Sequence, residues 1–312
     1  MSKPIVVVGS IGFDFVASAD RVPVLGETIT GHTFQTFFGG KGANQAVAVA
    51  RLKYPVSMIG KVGDDAYGPQ MKKGLRDAGV DVRAVTTERG SSGVALIATG
   101  KQGENLIVVV PGANAKLLPR DLDRHKATIR SAGILLAQLE SPLETVEYLG
   151  QLSQKFDVPL MLDPAPARSL PGELMENITW LTPNETETRT LLGSNDNAQQ
   201  LDPPAAAEAL LGRGVTNVIL KLGDKGALVL SQGGAYAKVA AFPVQAVDTT
   251  AAGDAFNGAF AVALMRGNNI NESTRYACAV AAISVTRRGA QPSMPSRAEV
   301  AKFMKAHPAT NR

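Results

Sequence analysis

Asp248-Thr-Thr-Ala-Ala-Gly-Asp254, followed by an apolar run from Ala255 to Met265, is the stretch around which the rest of the chain falls into order. The small residues Ala251, Ala252 and Gly253 let an anion approach backbone N–H groups that have no partner inside a helix, and the helix dipole favours negative charge there. Asp254 stands directly after that trap. A carboxylate so placed can take a proton from an alcohol while the trap holds the phosphoryl group that the alcohol attacks. Asp and Thr are also common helix caps, and Ala-Ala-Gly is an ordinary tight entry to a helix. This string alone therefore supports phosphate chemistry and plain capping equally.

Working outward, short apolar or β-branched runs alternate with longer helix-like segments, the pattern of a mainly parallel sheet covered by helices. Strands are expected at Ile5 to Val8, Val56 to Ile59, Gly133 to Ala137, Leu160 to Leu162, Thr179 to Leu181 and Val218 to Lys221. Helices are expected at Ala43 to Lys53, Gly68 to Ala78, Pro119 to Arg130, Leu143 to Phe156, Asn184 to Leu191 and Pro204 to Gly212. Beyond Asp254 the pattern turns helical through Ala255 to Met265, Asn271 to Thr286 and Ser296 to Lys305. The fold class is thus a three-layer α/β body. Two stretches break the alternation: Thr28 to Phe38, and Val94 to Thr99 with a turn at Gly100-Lys-Gln-Gly103 and Leu106 to Val110. Both read as antiparallel hairpin material, either a small lid or plain edge hairpins.

Composition narrows the function classes. The chain has 312 residues, 45% of them hydrophobic and 19% charged, within the range of a soluble globular protein. Its net charge of +4 comes without a basic block interleaved with aromatics, so nucleic acid is not an expected partner. Cys278 is the only cysteine, which excludes an internal disulfide and a cysteine-rich zinc site. His32, His125 and His307 share no ligand spacing. The run Ile5-Val-Val-Val-Gly9 is too short for a signal peptide, and no apolar stretch reaches membrane-spanning length, so a cytoplasmic protein is expected.

Several strings point to ligands. G-x-x-x-x-G-K-[ST], the protein-kinase motifs, G-x-S-x-G and H-E-x-x-H are all absent, and Gly9-Ser-Ile-Gly12 lacks the spacing of a dinucleotide fingerprint. Gly39-Gly-Lys-Gly-Ala-Asn-Gln45 opens a helix-like segment with more glycines than a tight turn needs, which suits close approach of backbone to a ligand. There Lys41 offers a charge and Asn44 both donors and acceptors for hydroxyls. Asp14, just after the first strand, can accept hydrogen bonds from a polyol or simply serve a turn. In Pro183-Asn-Glu-Thr-Glu187, Asn184 and Glu187 lie three apart on one helical face. They can hold the waters of a hard cation such as Mg²⁺, or form a capping box. Leu222-Gly-Asp-Lys-Gly226 is a turn that can pass beneath a nucleotide, as any β-turn can.

Set in order, these strings resemble those of the ribokinase-like carbohydrate kinases over nearly the whole chain. The resemblance is carried by GGKGANQA, QLESPLE at Gln138 to Glu144, DPAPAR at Asp163 to Arg168, TPNETE at Thr182 to Glu187, LGDKGA, AVDTTAAGDAFNG and VTRRGAQPS at Val285 to Ser293. So many separated matches make weak signals jointly specific. The resemblance implies one ribokinase-like α/β domain over residues 1–312, with a β-sheet lid formed by about 14–40 and 91–113. It implies transfer of the ATP γ-phosphoryl group to the 5-hydroxyl of D-ribose.

On the matching positions Asp254 is the implied base and the N–H groups of Ala251, Ala252 and Gly253 the anion hole. Gly12, Asp14, Gly40, Lys41, Asn44 and Glu140 are implied sugar contacts. Asn184, Lys221, Gly223, Gly226, Gly253 and Cys278 are implied for ATP, and Asn184 with Glu187 for Mg²⁺ through water. Asp248, Thr250, Ser284, Arg287, Gly289 and Ser293 match a K⁺ site, several of them acting through backbone carbonyls. The lid implies a homodimer.

Three positions depart from the family's pattern. Cys278 stands where members commonly carry His or Asn near the adenine, Phe13 in Ile11-Gly-Phe-Asp14 can reshape the sugar pocket, and Asp163 replaces a frequent Asn. Alternatives are a kinase for 2-deoxyribose or another furanose, and a catalytically silent sugar-binding regulator. Asp254 inside an intact anion-hole string argues against the regulator.

Overall fold

The computed structural model describes residues 2–193 and 202–308. The chain runs β1 (Ile5–Val8), β2 (Gly12–Ser18), β3 (Thr33–Gly39), α1 (Lys41–Arg51), β4 (Val56–Gly63), α2 (Gly68–Asp77), β5 (Val85–Glu88), β6 (Gly93–Thr99) and β7 (Asn105–Val110). It continues through α3 (Pro119–Arg124), α4 (Lys126–Ser131), β8 (Ile134–Ala137), α5 (Leu143–Phe156), β9 (Leu160–Leu162), α6 (Gly172–Glu176), β10 (Trp180–Leu181) and α7 (Glu185–Leu192). After residue 202 come α8 (Pro203–Leu211), β11 (Asn217–Lys221), β12 (Ala227–Ser231), β13 (Tyr236–Val239), α9 (Ala252–Met265), α10 (Ile270–Ser284) and α11 (Arg297–Ala306).

The body is a nine-stranded sheet in the order β13-β12-β11-β10-β9-β8-β1-β4-β5, in which only β12 runs against the others. Central strands such as Ile5-Val-Val-Val8 and Ile134-Leu-Leu-Ala137 are buried at every residue, as a parallel sheet covered on both faces requires. Each face has its own core. Phe260, Val49 and Met58 lie on the α1/α9/α10 side, and Leu135, Leu149 and Leu162 on the α5 side. No helix among the described residues is long and apolar enough to cross a membrane.

A second sheet, β3-β2-β6-β7, stands apart from the first. The β6–β7 hairpin is antiparallel as expected, but β2 pairs with β6 in parallel, so this sheet is not two hairpins laid side by side. The strand over Gly12–Ser18 was not expected, and Thr28 to His32 stay outside the β3 strand. Neither short run shows enough alternation to reveal itself before its neighbours do. The helix expected from Pro119 to Arg130 is broken at His125, whose backbone leaves helical angles between α3 and α4. Strands β5, β12 and β13 and helix α6 were also missed. β5 and β13 form the two edges of the large sheet, where burial leaves the weakest imprint on sequence.

The topology gathers chemistry at one end of the sheet. Ser10 follows β1, Glu140 follows β8, Asp163 follows β9, Asn184 follows β10, and Lys221 ends β11. All five leave the carboxyl ends of parallel strands, where open α/β sheets place their ligands.

Candidate active site

Helix α9 begins at Ala252, with Ala251 as its N-cap in the left-handed region at φ 60°. A non-glycine residue there carries strain of about 1–3 kcal/mol, which persists only where the surroundings hold it. The helix start has no side-chain cap, so its first-turn N–H groups are left for another acceptor. Of the expected donors, the Ala252 N–H is turned to the Thr249 carbonyl at 3.2 Å, a long bond, whereas Gly253 lies in the open first turn. A Cβ at Gly253 would come within 3.3 Å of the Lys221 ammonium, so the glycine brings the helix start close to a cation.

Asp254, one residue on, is only 4% exposed. Asn44 donates to its Oδ2 and Gln45 to its Oδ1, both at 3.0 Å. Burial pushes its carboxyl up to about 7, opposed by the Lys41 charge and reinforced by Asp163. Lys41 is the first residue of α1. Burial works against its charge, yet Asp254, Asp163, Glu140 and Glu187 outweigh that and push it up to about 12.

The glycine-rich entry to α1 is explained by contact. Gly40 has φ 85°, and a Cβ there would lie 2.6 Å from the Gly12 nitrogen, so the turn packs directly on the start of β2. The exposed helix end this creates is closed from a distance. Glu140 Oε2 accepts the Lys41 N–H at 3.0 Å and the Ser10 hydroxyl, while Ser10 Oγ accepts the Gly42 N–H at 3.3 Å. Asp14 sits on β2 with its carboxylate against Gly39. Burial and the Glu140 charge push it up to about 6. Gly12, Asp14, Gly40, Lys41, Asn44 and Glu140 thus form one neighbourhood around the start of α1. Asn44 Oδ1 is buried without a protein partner, an acceptor left for a ligand.

Phe13 does not belong to that neighbourhood. Successive residues of a strand point to opposite faces, and Phe13 packs away from Asp14 against Phe38, Tyr67 and Phe15, with ring centroids 5.6, 4.9 and 5.3 Å away. Its expected influence on the sugar pocket is therefore corrected to a packing role.

On the other side of Asp254 lies a cavity of about 560 Å³, large enough for a nucleotide. Lys41, Asp163, Asn184, Glu187, Lys221 and Asp254 supply its charged and polar wall. Phe242, Val244, Phe256, Cys278 and Val285 supply an apolar one. Cys278 is buried, and burial pushes its thiol up to about 12, so it acts as a small apolar surface rather than a nucleophile. Gly223 and Gly226 adopt φ 58° and 95° in the turn after β11 and line the same cavity.

Asn184 and Glu187 form the capping box of α7. Asn184 Oδ1 accepts the Glu187 N–H at 2.8 Å, and Glu187 Oε2 accepts the Asn184 N–H at 2.7 Å. The two readings open in the sequence do not exclude each other, because both residues also face the cavity. Burial raises the Glu187 carboxyl, a penalty a hard cation would relieve.

The residues matched to a monovalent cation gather behind the start of α9. Asp248 Oδ1 accepts the Thr250 N–H at 2.9 Å and Oδ2 the Gly289 N–H at 2.8 Å, which ties the two loops together. Although partial burial works against its charge, these bonds hold the Asp248 carboxyl below its usual range. The other side chains turn elsewhere: Ser284 Oγ donates to Ala281, Ser293 Oγ to Ala290, and Arg287 pairs with Glu299 at 2.6 Å. Asp248 and the backbone carbonyls of these loops are oxygen donors available to an ion there.

Gln45, Gln138 and Asp163 were given no role in the sequence, yet all three are buried, and Gln45 bonds to Asp254, Asp163 and Gln138. A glutamine leading directly into the apolar run Ala46 to Ala50 was the signal available for Gln45.

The pfkB family carbohydrate kinase pattern matches residues 2–297. A ribokinase of Haemophilus influenzae is 42% identical over 97% of this chain and 99% of its own length. A deoxyribokinase of Salmonella typhi is 37% identical, over 94% of this chain and 95% of its own. The structure of Arabidopsis thaliana ribokinase complexed with ribose and ATP superposes with a TM-score of 0.90 at 38% identity, covering 98% of this chain and 99% of that one. With sequence, fold and the carboxyl-end cluster in agreement, the chain belongs to the pfkB family of carbohydrate kinases and is an ATP-dependent phosphotransferase.

Proposed function

We propose that the chain transfers the γ-phosphoryl group of ATP to the 5-hydroxyl of D-ribose, with Asp254 as the general base. The observation that carries this reading is the buried Asp254 carboxylate, oriented by Asn44 and Gln45 and adjoining the uncapped start of α9. As the sugar oxygen bonds to the γ-phosphorus, the bond from that phosphorus to the β–γ bridging oxygen breaks. The hydroxyl proton passes to Asp254 and ADP leaves. Charge developing on the transferred group meets the N–H groups at Ala251, Ala252 and Gly253 and the ammonium groups of Lys41 and Lys221. Such preorganised donors supply most of the catalysis in phosphoryl transfer.

The sugar is held by Gly12, Asp14, Gly40, Lys41, Asn44 and Glu140, and the nucleotide lies in the cavity along Asn184, Lys221, Gly223, Gly226, Gly253 and Cys278. Asn184 and Glu187 would hold Mg²⁺ through water, where it neutralises charge on the phosphates. Carbonyls around Asp248, Thr250, Ser284, Arg287, Gly289 and Ser293 would hold K⁺, which stiffens the turn leading into α9. The sheet β3-β2-β6-β7 acts as a lid that excludes water from the phosphoryl group. It also forms a homodimer interface. Edge strand β7 is exposed along its whole length, and Leu106 and Val108 there join Phe34 and Leu96 on one face in an apolar surface. The protein acts in the cytoplasm.

A 2-deoxyribose kinase is the second reading, supported by the similarity to a deoxyribokinase. ADP release from MgATP in K⁺ buffer, with D-ribose, 2-deoxy-D-ribose and D-fructose compared, separates the two. Strong preference for ribose supports the first reading. A higher kcat/KM for deoxyribose overturns the ribose assignment and leaves the chemistry standing.

A further inference from the structure

One primary amide in the body touches two carboxylates that are far apart in sequence. Gln45 Nε2 donates to Asp254 Oδ1 at 3.0 Å and to Asp163 Oδ2 at 3.1 Å. Both protons of the amide are thereby engaged. Its orientation is set from the other side, because Gln45 Oε1 accepts from Gln138 Nε2 at 2.8 Å. Gln138 in turn fills the space beside Gly9, where any Cβ would collide with its carboxamide oxygen. Asp163 Oδ1 accepts from Lys221 Nζ at 2.9 Å. Gly9, Gln138, Gln45, Asp163 and Lys221 thus form one connected chain from the end of β1 to the nucleotide turn, and Asp254 hangs from its middle link. Gln45, Gln138 and Asp163 are each 3% exposed or less, so water does not compete for these bonds.

We propose that Gln45 and Asp163 are positioning residues for the phosphoryl transfer: the Gln45 amide fixes the Asp254 carboxylate toward the sugar hydroxyl, and the Asp163–Lys221 pair anchors that amide. Neither Gln45 nor Gln138 lines the nucleotide cavity, so their contribution runs through Asp254 rather than through substrate. Asp163 adds a second effect. It is a negative charge next to the base, balanced on its far side by Lys221. The charged groups facing Asp254 are Asp163 and Lys41, with Lys221, Glu140 and Glu187 behind them. The amide favours the ionised form of Asp254 and the Asp163 charge disfavours it, so removing one or the other moves the base in opposite directions.

This rests on Asp254 being the base, and the test separates the two claims. The acid limb of kcat/KM against pH is measured for the full chain, for the near-isosteric Gln45→Met and Asp163→Asn variants, and for Asp254→Asn. Gln45→Met should lower kcat by up to about 10²-fold, the scale of a misplaced reacting group, with KM for sugar and ATP within about twofold. Its acid limb should move to higher pH, and that of Asp163→Asn to lower pH. Limbs that stay in place, or both move the same way, overturn the proposal. If Gln45→Met does not fold, an unmoved limb in Asp163→Asn overturns it alone. Near-normal turnover in Asp254→Asn would instead defeat the base assignment itself.

Discussion

Two raised carboxylates, Asp254 in the body and Asp14 on the small four-stranded sheet, stand in opposite surroundings. Asp254 stands at the head of α9, a helix buried from Asp254 through Ala263 between α1 and α10. Phe260 there is fully buried, with Trp180 edge-on at 5.0 Å and Phe256 stacked at 6.3 Å. Asp14 stands on a four-stranded sheet with one face toward the body and an edge strand open to solvent. The body can therefore hold the geometry of the base without help. The small sheet packs Phe13, Phe15 and Phe38 against the core of the body, while its β7 edge is exposed at every residue. A kinase benefits from this division: the charge-handling groups need rigidity, whereas the sugar has to enter and leave.

Asp254→Asn should lower turnover by about 10²–10⁴ while leaving sugar and ATP binding largely intact, since a general base contributes on that scale. Single-turnover kinetics together with calorimetric binding would check it. Phe260→Ala should cost about 3–5 kcal/mol in urea unfolding, and a loss below 1 kcal/mol would show that α9 is not the anchor described.

The pH dependence sharpens the contrast. Asp254 must be ionised to accept a proton and its carboxyl is raised to about 7, so kcat/KM should fall about tenfold per unit as pH drops below that value. Asp14, raised to about 6, should add a rise in sugar KM only at lower pH. A profile flat from pH 8 to 5 would contradict both. Smallest in stability should be Val108→Lys on β7. It should convert a dimer to monomer in sedimentation yet change urea unfolding, extrapolated to the isolated chain, by less than about 0.5 kcal/mol.

Much of this was legible beforehand because the relevant interactions are local. The entry to α9 is a helix-start signal contained in adjacent residues, and the Asn184–Glu187 box repeats a three-residue spacing that either a cap or a ligand site would use. The Leu143–Phe156 helix and the Leu160–Leu162 strand were placed at their observed bounds, since each is a strongly patterned run flanked by turn residues. Phe13 was misjudged for the converse reason: which residues of β2 share a face with Asp14 depends on its pairing with β3 and β6, and nothing within Gly12–Ser18 states that register.

By itself, then, the sequence determined the layered α/β class, the turn of small residues entering α9 with Asp254 beside it, and the exclusion of an internal disulfide, because all of these follow from neighbouring residues and composition. Only the tertiary structure decided that Gln45 binds Asp254 and Asp163 together, that Glu140 closes the start of α1, and that Phe13 turns from Asp14. Those contacts join residues about a hundred or more positions apart, or depend on strand register. They form only when the carboxyl ends of β1, β8 and β9 are laid side by side.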